Sequence, residues 1–437
     1  MPMNPWTLNH PRLQPGCRGA WARMAPAISV VLALLLGGPP LLAQGGSGSP
    51  MGLLLTWQQD PLTTMTIDWH TGATSTPQEV RYRRVGASDW NAGPTPEEFP
   101  FPHVEDARIH RVELVGLEPG SLYEFNLSEG GRNYRFRTMP QDLQRPVRFA
   151  SGGDVRHERE MMERMNRVVT PYDPDFILWA GDLAYADGLP ERAYRWVDFL
   201  DVMMRTLITA EGRVIPVLAA PGNHEVRGGY YRNSDAWEPG PEWQREFAPF
   251  YYALFAFPGH PGYGVLDFAD YLSIVLLDTD HTGPMAGDQT EWLRTTLRDR
   301  THVPHVFPTY HVPAYPSVRS PDGGVSTQVR ETWSPLFEAF GVRVAFEAHD
   351  HAFKRTHPIR AGAVHPAGVV YMGDGAWGVR NRIIGASHSE PAWYIDRALT
   401  DRHFSLVTLH GPHLHILTVN EDGRVIDEFP EAPTMPR

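Results

Sequence analysis

"DFILWAGDLAYADG", Asp175 to Gly188, decides how this chain folds. Asp175–Ala180 is a near-continuous apolar run, the pattern of a strand buried on both faces. The run stops on Gly181-Asp182, and Tyr185 follows three residues later. Gly-Asp is ordinary turn chemistry and a tyrosine packs readily. The motif gains weight only because the same arrangement recurs along the chain.

From Pro146 onward, apolar strands alternate with amphipathic helices. Val147–Ser151 precedes a helix over His157–Val169, and Asp175–Ala180 precedes one over Glu191–Ile208. Val214–Ala220 follows, and Tyr271–Asp278 precedes a helix over Asp288–Arg300. His305–Tyr310, Val342–Ala348 and Gly368–Asp374 complete the set, and His403–Pro430 reads as two or three closing strands. This alternation predicts a layered α/β domain, β-sheets flanked by helices, over residues 146–428. Residues 51–140 read differently. Leu53–Gln58, Thr64–His70, Glu79–Val85, His110–Leu117, Leu122–Ser128 and Asn133–Met139 are short alternating runs separated by turns, which predicts a β-sandwich. Within it, "LEPGSLYEFNL" places Tyr123 after a Pro-Gly turn and resembles the tyrosine corner of fibronectin type III domains. Asn126-Leu127-Ser128 matches the glycosylation triplet.

Composition agrees with a folded multidomain chain. Its 437 residues exceed one ordinary core, and 42% apolar with 21% charged residues is globular usage. Cys17 is the only cysteine, so no intramolecular disulfide and no thiolate zinc module forms. Arg12, Arg18 and Arg23 precede the apolar stretch Ala25–Ala43, the pattern of a secretory signal over residues 1–44 cut near Ala43. Retention as an N-terminal membrane anchor is the alternative, and Met24 is an alternative start. Cleavage leaves no stable membrane span and directs the protein to the periplasm or the exterior. Net charge is −12, and loss of residues 1–44, with three arginines and no acid, takes it to −15. Such a chain is a poor nucleic-acid binder, and an anionic substrate needs positive charge from another source.

Polar residues of one chemical kind stand just past the strand ends. Asp154 follows the first strand; Asp182 and Tyr185 the second; Asn223, His224 and Glu225 the third. His311 follows His305–Tyr310, and His349 and His351 follow Val342–Ala348. Singly, each has a plain reading: Asp154 as a helix cap, Asn223 in a turn, His311 as a hydrogen-bonded ring. Together they are oxygen and imidazole donors at the carboxyl ends of strands, where layered α/β folds gather their sites. That pattern points to one metal site assembled from distant segments.

In this order the motifs Asp154, Gly181-Asp182-x-x-Tyr185, Gly222-Asn223-His224-Glu225, His311 and His349-x-His351 resemble the calcineurin-like metallophosphoesterases. The tyrosine is similar to that of the purple acid phosphatase branch, whose plant-type and bacterial members carry a fibronectin-like domain ahead of the catalytic one. The resemblance implies two adjacent metals. Asp154, Asp182, Tyr185 and His351 would hold Fe(III); Asp182 would bridge to a divalent Fe(II), Zn(II) or Mn(II) held also by Asn223, His311 and His349. Phenolate and carboxylate suit a trivalent ion, imidazoles and an amide oxygen a divalent one. The bound ions, rather than Lys and Arg, then set the local sign.

The implied chemistry is direct in-line attack of an activated hydroxide on a phosphate monoester, with His224 as general acid. Glu225 and Asp350 are candidates to orient imidazoles, Asp350 having a solvated position as its plain alternative. Two departures stand out: Arg156 lies two residues after the first Asp, and Ala348 precedes the His-x-His pair, where the family usually has glycine in both places. Arg156 is read as a phosphate contact or a surface side chain. His281 and His357 are weak candidates for substrate-side histidines. A small phosphoester is the expected partner. Two other functions share these residues: a phosphodiesterase or nucleotide-cleaving enzyme, and a surface binding protein that performs no catalysis.

Overall fold

The computed structural model describes residues 50–72, 78–238, 240–388 and 392–430. The expected leader, with Cys17 and Met24, lies outside them. Eight strands come first: β1 (Gly52–Thr56), β2 (Met65–Thr71), β3 (Arg81–Arg84), β4 (Asn91–Ala92), β5 (Glu97–Pro100), β6 (Arg108–Leu114), β7 (Leu122–Asn126) and β8 (Tyr134–Arg137). They pair into two antiparallel sheets, ordered β1-β2-β6-β5 and β4-β3-β7-β8. Strands β4 and β5 went unanticipated, because two- and four-residue strands amid Pro and Glu show no alternation. Leu53, Leu55, Ile67, Trp69, Phe125 and Phe136 fill the space between the sheets at period-2 spacing. The Glu118 N–H donates to Tyr123 Oη at 2.9 Å, the geometry of a tyrosine corner. Asn126 is buried and donates to Asn133 Oδ1, so the glycosylation triplet does not face solvent.

The chain then lays down β9 (Val147–Gly152), α1 (Arg159–Val169), β10 (Phe176–Trp179), α2 (Tyr194–Thr206), β11 (Val217–Ala219), α3 (Pro241–Phe247), α4 (Pro249–Leu254), β12 (Gly264–Phe268) and β13 (Leu272–Leu276). Next come α5 (Asp288–Arg298), β14 (His305–Thr309), α6 (Gly324–Thr332), α7 (Ser334–Ala339), β15 (Val344–Glu347), β16 (Phe353–Thr356), β17 (Ile359–Arg360) and β18 (Ala363–Val364). The last strands are β19 (Val370–Gly373), β20 (Ile395–Leu399), β21 (His403–His410), β22 (His413–Asn420) and β23 (Val425–Phe429). Two mixed sheets result, β11-β10-β9-β21-β22-β23 and β12-β13-β14-β15-β19-β16-β20.

Alternate strand residues divide the core into layers. Phe149, Phe176, Phe307 and Phe346 meet between the sheets; the Phe149 ring lies 4.8 Å from Phe176 and 6.1 Å from Phe346. Ala150, Ile177 and Trp179 face the other way, onto Met162, Met165 and Phe199 of α1 and α2. Val275 and Ala345 pack beneath Leu293, Val329 and Phe337 of α5–α7 and Trp333 at the α6–α7 junction. Sheets flanked by helices are therefore present, as the alternation predicts. Helices α3, α4, α6 and α7 were not foreseen, because each has nine residues or fewer and shows little periodicity. The outer face of the sandwich (Leu54, Phe101, Ile109) packs on Trp196, Phe199 and Leu200 of α2. A Cβ at Gly52 would come within 2.7 Å of Leu200 Cβ, so glycine permits this approach.

The register levels the strand ends. Gly152 stands opposite Trp179 and Trp179 opposite Ala219, all parallel. On the second sheet Thr309 of β14 stands opposite Phe346 of β15. The loops leaving β9, β10, β11, β14 and β15 therefore open side by side.

Candidate metal centre

Seven side chains from those five loops converge in two groups. In the first, Tyr185 Oη donates to Asp154 Oδ1 at 2.9 Å, and His351 Nε2 lies 2.9 Å from the same oxygen and 3.3 Å from Tyr185 Oη. In the second, His311 Nε2 lies 3.1 Å from Asp182 Oδ2, 3.1 Å from Asn223 Oδ1 and 2.9 Å from His349 Nδ1. Asp182, His311 and His349 form a buried group of metal-ligating atoms all within 4.8 Å of one another.

The second group has a chemistry that a cation resolves. His311 Nδ1 lies 2.8 Å from the Ala180 carbonyl, which only accepts, so Nδ1 carries the proton. In the neutral ring Nε2 is then a lone pair, facing a carboxylate oxygen, an amide oxygen and a second imidazole. A carboxylate oxygen, an amide oxygen and an imidazole lone pair turned toward one point repel unless a proton or a metal ion sits among them, and His349 brings a second imidazole nitrogen to the same place. Although burial opposes the charge, the Asp182 carboxylate pushes His311 up to about 9. Burial, with His311 beside it, holds His349 well below its ordinary value and therefore neutral. The donor set fits a metal ion, with His311 taking a proton in its place. In the first group, burial and the Asp154 carboxylate hold the Tyr185 phenol well above its ordinary value, so only a nearby cation makes it a phenolate.

Backbone strain gathers here. Asp154, Asp182, Tyr185, His349 and His351 have φ of 55°, 55°, 56°, 79° and 60°, a region costly for residues other than glycine. Close approach is also required: a Cβ at Gly222 would lie 2.3 Å from Asp182 Oδ1.

The remaining candidates fall in varied places. His224 stacks on Tyr185 at 4.2 Å between ring centroids, with Nε2 3.8 Å from Asp182 Oδ2 and Nδ1 hydrogen-bonded to Asp187. Glu225 orients no imidazole. It accepts the N–H groups of Asp182, Leu183 and Gly222, each at 2.8 Å, and burial pushes its carboxyl up to about 7. Asp350 is buried rather than solvated, and accepts from Val318 N, Arg319 N and the Arg319 guanidinium. Arg156 is 7% exposed and its Nη2 pairs with Asp198 of α2, so the surface position does not hold, while Nε and Nη1 have no hydrogen-bond partner. His281 is buried, bonded to Gly229 O and Thr279 Oγ1, with its ring 5.5 Å from His311. His357 pairs instead with Asp396.

Three supporting groups escaped the sequence reading. Asp187 lies inside the opening motif, where nothing local marks it as the partner of His224. Glu347 accepts from Tyr310 Oη, Ala314 N and Lys354; Asp374 accepts from Ser317 N and Oγ. Both acids end strands, the same signal that marks the ligands, and both tie down the loop after His311.

Fold and centre together define a calcineurin-like phosphoesterase. Residues 147–353 match the model of that family, and residues 50–138 match the purple acid phosphatase N-terminal domain. The chain belongs to the purple acid phosphatase family. It is 23% identical to purple acid phosphatase 18 of Arabidopsis thaliana over 359 residues, covering 80% of this chain and 76% of that protein. It is 25% identical to acid phosphatase type 7 of Mus musculus over 414 residues, covering 87% and 90%. The purple acid phosphatase PPD1 from yellow lupin (Lupinus luteus) seeds shares the fold, with a TM-score of 0.68 at 16% identity over 87% of this chain and 74% of that one. Among the described residues no helix is long and apolar enough to cross a membrane.

Proposed function

We propose that the chain is a secreted phosphomonoesterase of the acid phosphatase type, with a leader over 1–44, a sandwich over 51–140 and a catalytic domain over 146–428. Asp154, Tyr185 and His351 would hold an Fe(III); Asp182 would be shared; Asn223, His311 and His349 would hold Fe(II), Zn(II) or Mn(II). When bound, such a pair supplies Lewis acidity to the phosphoryl oxygens and an activated water. The chain's own residues do the rest. The Ala180 carbonyl fixes one His311 proton on Nδ1, so Nε2 is the atom that would meet a metal ion, and His349, kept neutral by burial, offers a second imidazole nitrogen beside it. Glu225 holds the Asp182 and Gly222 loops in register. His224, steadied at Nδ1 by Asp187 and by its stacking on Tyr185, aims Nε2 toward the centre, where a proton at that atom reaches a departing alkoxide.

One observation carries this reading: Asp182, Asn223 and His349 converge on His311 Nε2 in a buried site. Metal analysis with a visible spectrum, followed by parallel monoester and diester assays, tests it. The expected result is two metals per chain, an absorption band from a tyrosinate on Fe(III), and faster monoester turnover. A metal-replete protein inactive on both ester classes would sink the enzymatic reading; faster diester cleavage would sink the monoesterase.

A further inference from the structure

The C-terminal ends of α1 and α2, the loop after α2 and strand β8 of the sandwich enclose a cavity of about 660 Å³. Five arginines line it, Arg135, Arg137, Arg167, Arg205 and Arg213, against the acids Asp173 and Glu211. This is an excess of positive charge in a chain of net charge −12. Arg167 and Arg205 have an ordinary explanation. They lie in the last turns of α1 and α2, where cations suit the helix ends, and reach back to Glu163 and Asp201. Arg137 pairs with Asp173 and Asp175.

Arg135 lacks that explanation, and Arg213 has it only in part. Arg213 is 2% exposed; its Nη2 donates to Asp173 and to Pro174 O, while Nε and Nη1 have no hydrogen-bond partner. Those two donors expose essentially no surface, so Arg213 contributes buried positive charge behind the cavity wall rather than a free hydrogen-bonding fork. Arg135 runs alongside: its N–H donates to Gly212 O and its carbonyl accepts from Val214 N. Among the described residues no carboxylate pairs with the Arg135 side chain. Guanidinium forks match tetrahedral oxyanions. A single such ion does not fill a cavity of this volume, which lies in the range of ~300–1,000 Å³ typical of small-molecule sites.

We propose that this cavity binds a small polyanion bearing two or more phosphate or sulfate groups, at a site separate from the metal centre. Arg135 is its principal donor, and Arg213 adds positive charge from behind the wall. The test is calorimetric titration of the metal-loaded full chain with sucrose octasulfate, which is not a phosphoester. One site per chain is expected, with inorganic sulfate binding at least about tenfold more weakly because it engages fewer arginines. Arg135→Glu should weaken octasulfate binding about tenfold or more while leaving kcat/KM for p-nitrophenyl phosphate unchanged. Arg213→Gln should weaken it in the same direction, and Arg135→Glu carries the test if that buried variant fails to fold. Titration with methylenebisphosphonate separates the two sources: tighter Arg135-dependent binding than octasulfate assigns a phosphorylated ligand, weaker a sulfated one. No octasulfate binding below about 1 mM, equal affinity in Arg135→Glu, or sulfate binding as tightly as octasulfate would overturn the proposal.

Discussion

Metal capture at the second ligand group should depend steeply on pH, because a proton and a cation compete for His311 Nε2. The ring's other nitrogen is committed to Ala180 O, so the competition is confined to one atom. With no metal present, Asp182 lifts His311 to about 9 against the opposing effect of burial. The folded value exceeds the unfolded one, so the protonated ring stabilises the metal-free protein fully below pH 6.5, and that contribution is lost as pH rises through about 9. A metal must displace this proton at a cost of about 1.4 kcal/mol per pH unit below 9. That is roughly 3 kcal/mol at pH 7 and 5 kcal/mol at pH 5, an apparent affinity about a hundredfold weaker at the lower pH. His349 is already neutral, and Asp182 is held well below the usual carboxylate range, burial notwithstanding, by His311 and His224, so neither adds a proton. Calorimetry of Zn(II) binding to metal-free protein, in buffers of different ionisation enthalpy, should show about one proton released per ion at pH 7. The logarithm of affinity should rise with a slope near one between about pH 5 and 8. His311→Gln should weaken binding and flatten that slope. Zn(II) affinity constant across this range, with no proton released, would refute the competition.

Tyr185→Phe should abolish visible absorption while leaving the fold intact, since the ring's packing against His224 and His157 does not need the hydroxyl; melting temperature and spectrum check both halves. Asp187→Asn should lower kcat by about tenfold or more with metal content unchanged, because the His224 ring loses its charged anchor; parallel metal analysis and kinetics decide. Acid should destabilise the sandwich side of the molecule through His70, which burial pushes down to about 3. Below pH 6.5 the unfolded chain binds a proton that the native state refuses, so stability falls by about 1.4 kcal/mol per pH unit from 6.5 toward 3. His70→Phe should shrink the loss of melting temperature between pH 7 and pH 5, and an unchanged loss would exclude His70 as the cause.

The centre was legible because its parts obey a rule visible in one dimension: a polar residue placed one to four positions after an apolar run. Asp154, Asp182, Asn223, His311 and His349 all do so, and parallel pairing then brings their loops together. Glu347 and Asp374 obey the same rule and were passed over, because nothing local separates a ligand from the carboxylate that ties down the next loop. The exposed alternatives for Arg156 and Asp350 failed for a related reason: a sequence shows charge but not the buried partner, here Asp198 and the Arg319 loop, that takes a charge out of solvent. Short helices such as α3 and α7 complete too few turns to show a period. The arginine cavity draws on β8 and the loop after α2, joined by a single main-chain bridge that leaves no trace in composition.

Glu225 has a consequence for how such an enzyme diversifies. One carboxylate rivets the turn after β10 to the turn after β11 through three main-chain donors. Those two turns therefore behave as a single stiff plate, whatever surrounds them. The segments around His281 and Arg319 are anchored separately, to Asp278 and Asp350, so changes in their exposed side chains leave the plate as it is. A different rim can therefore stand above the plate while Asp182 and Asn223, the residues it carries, keep their spacing.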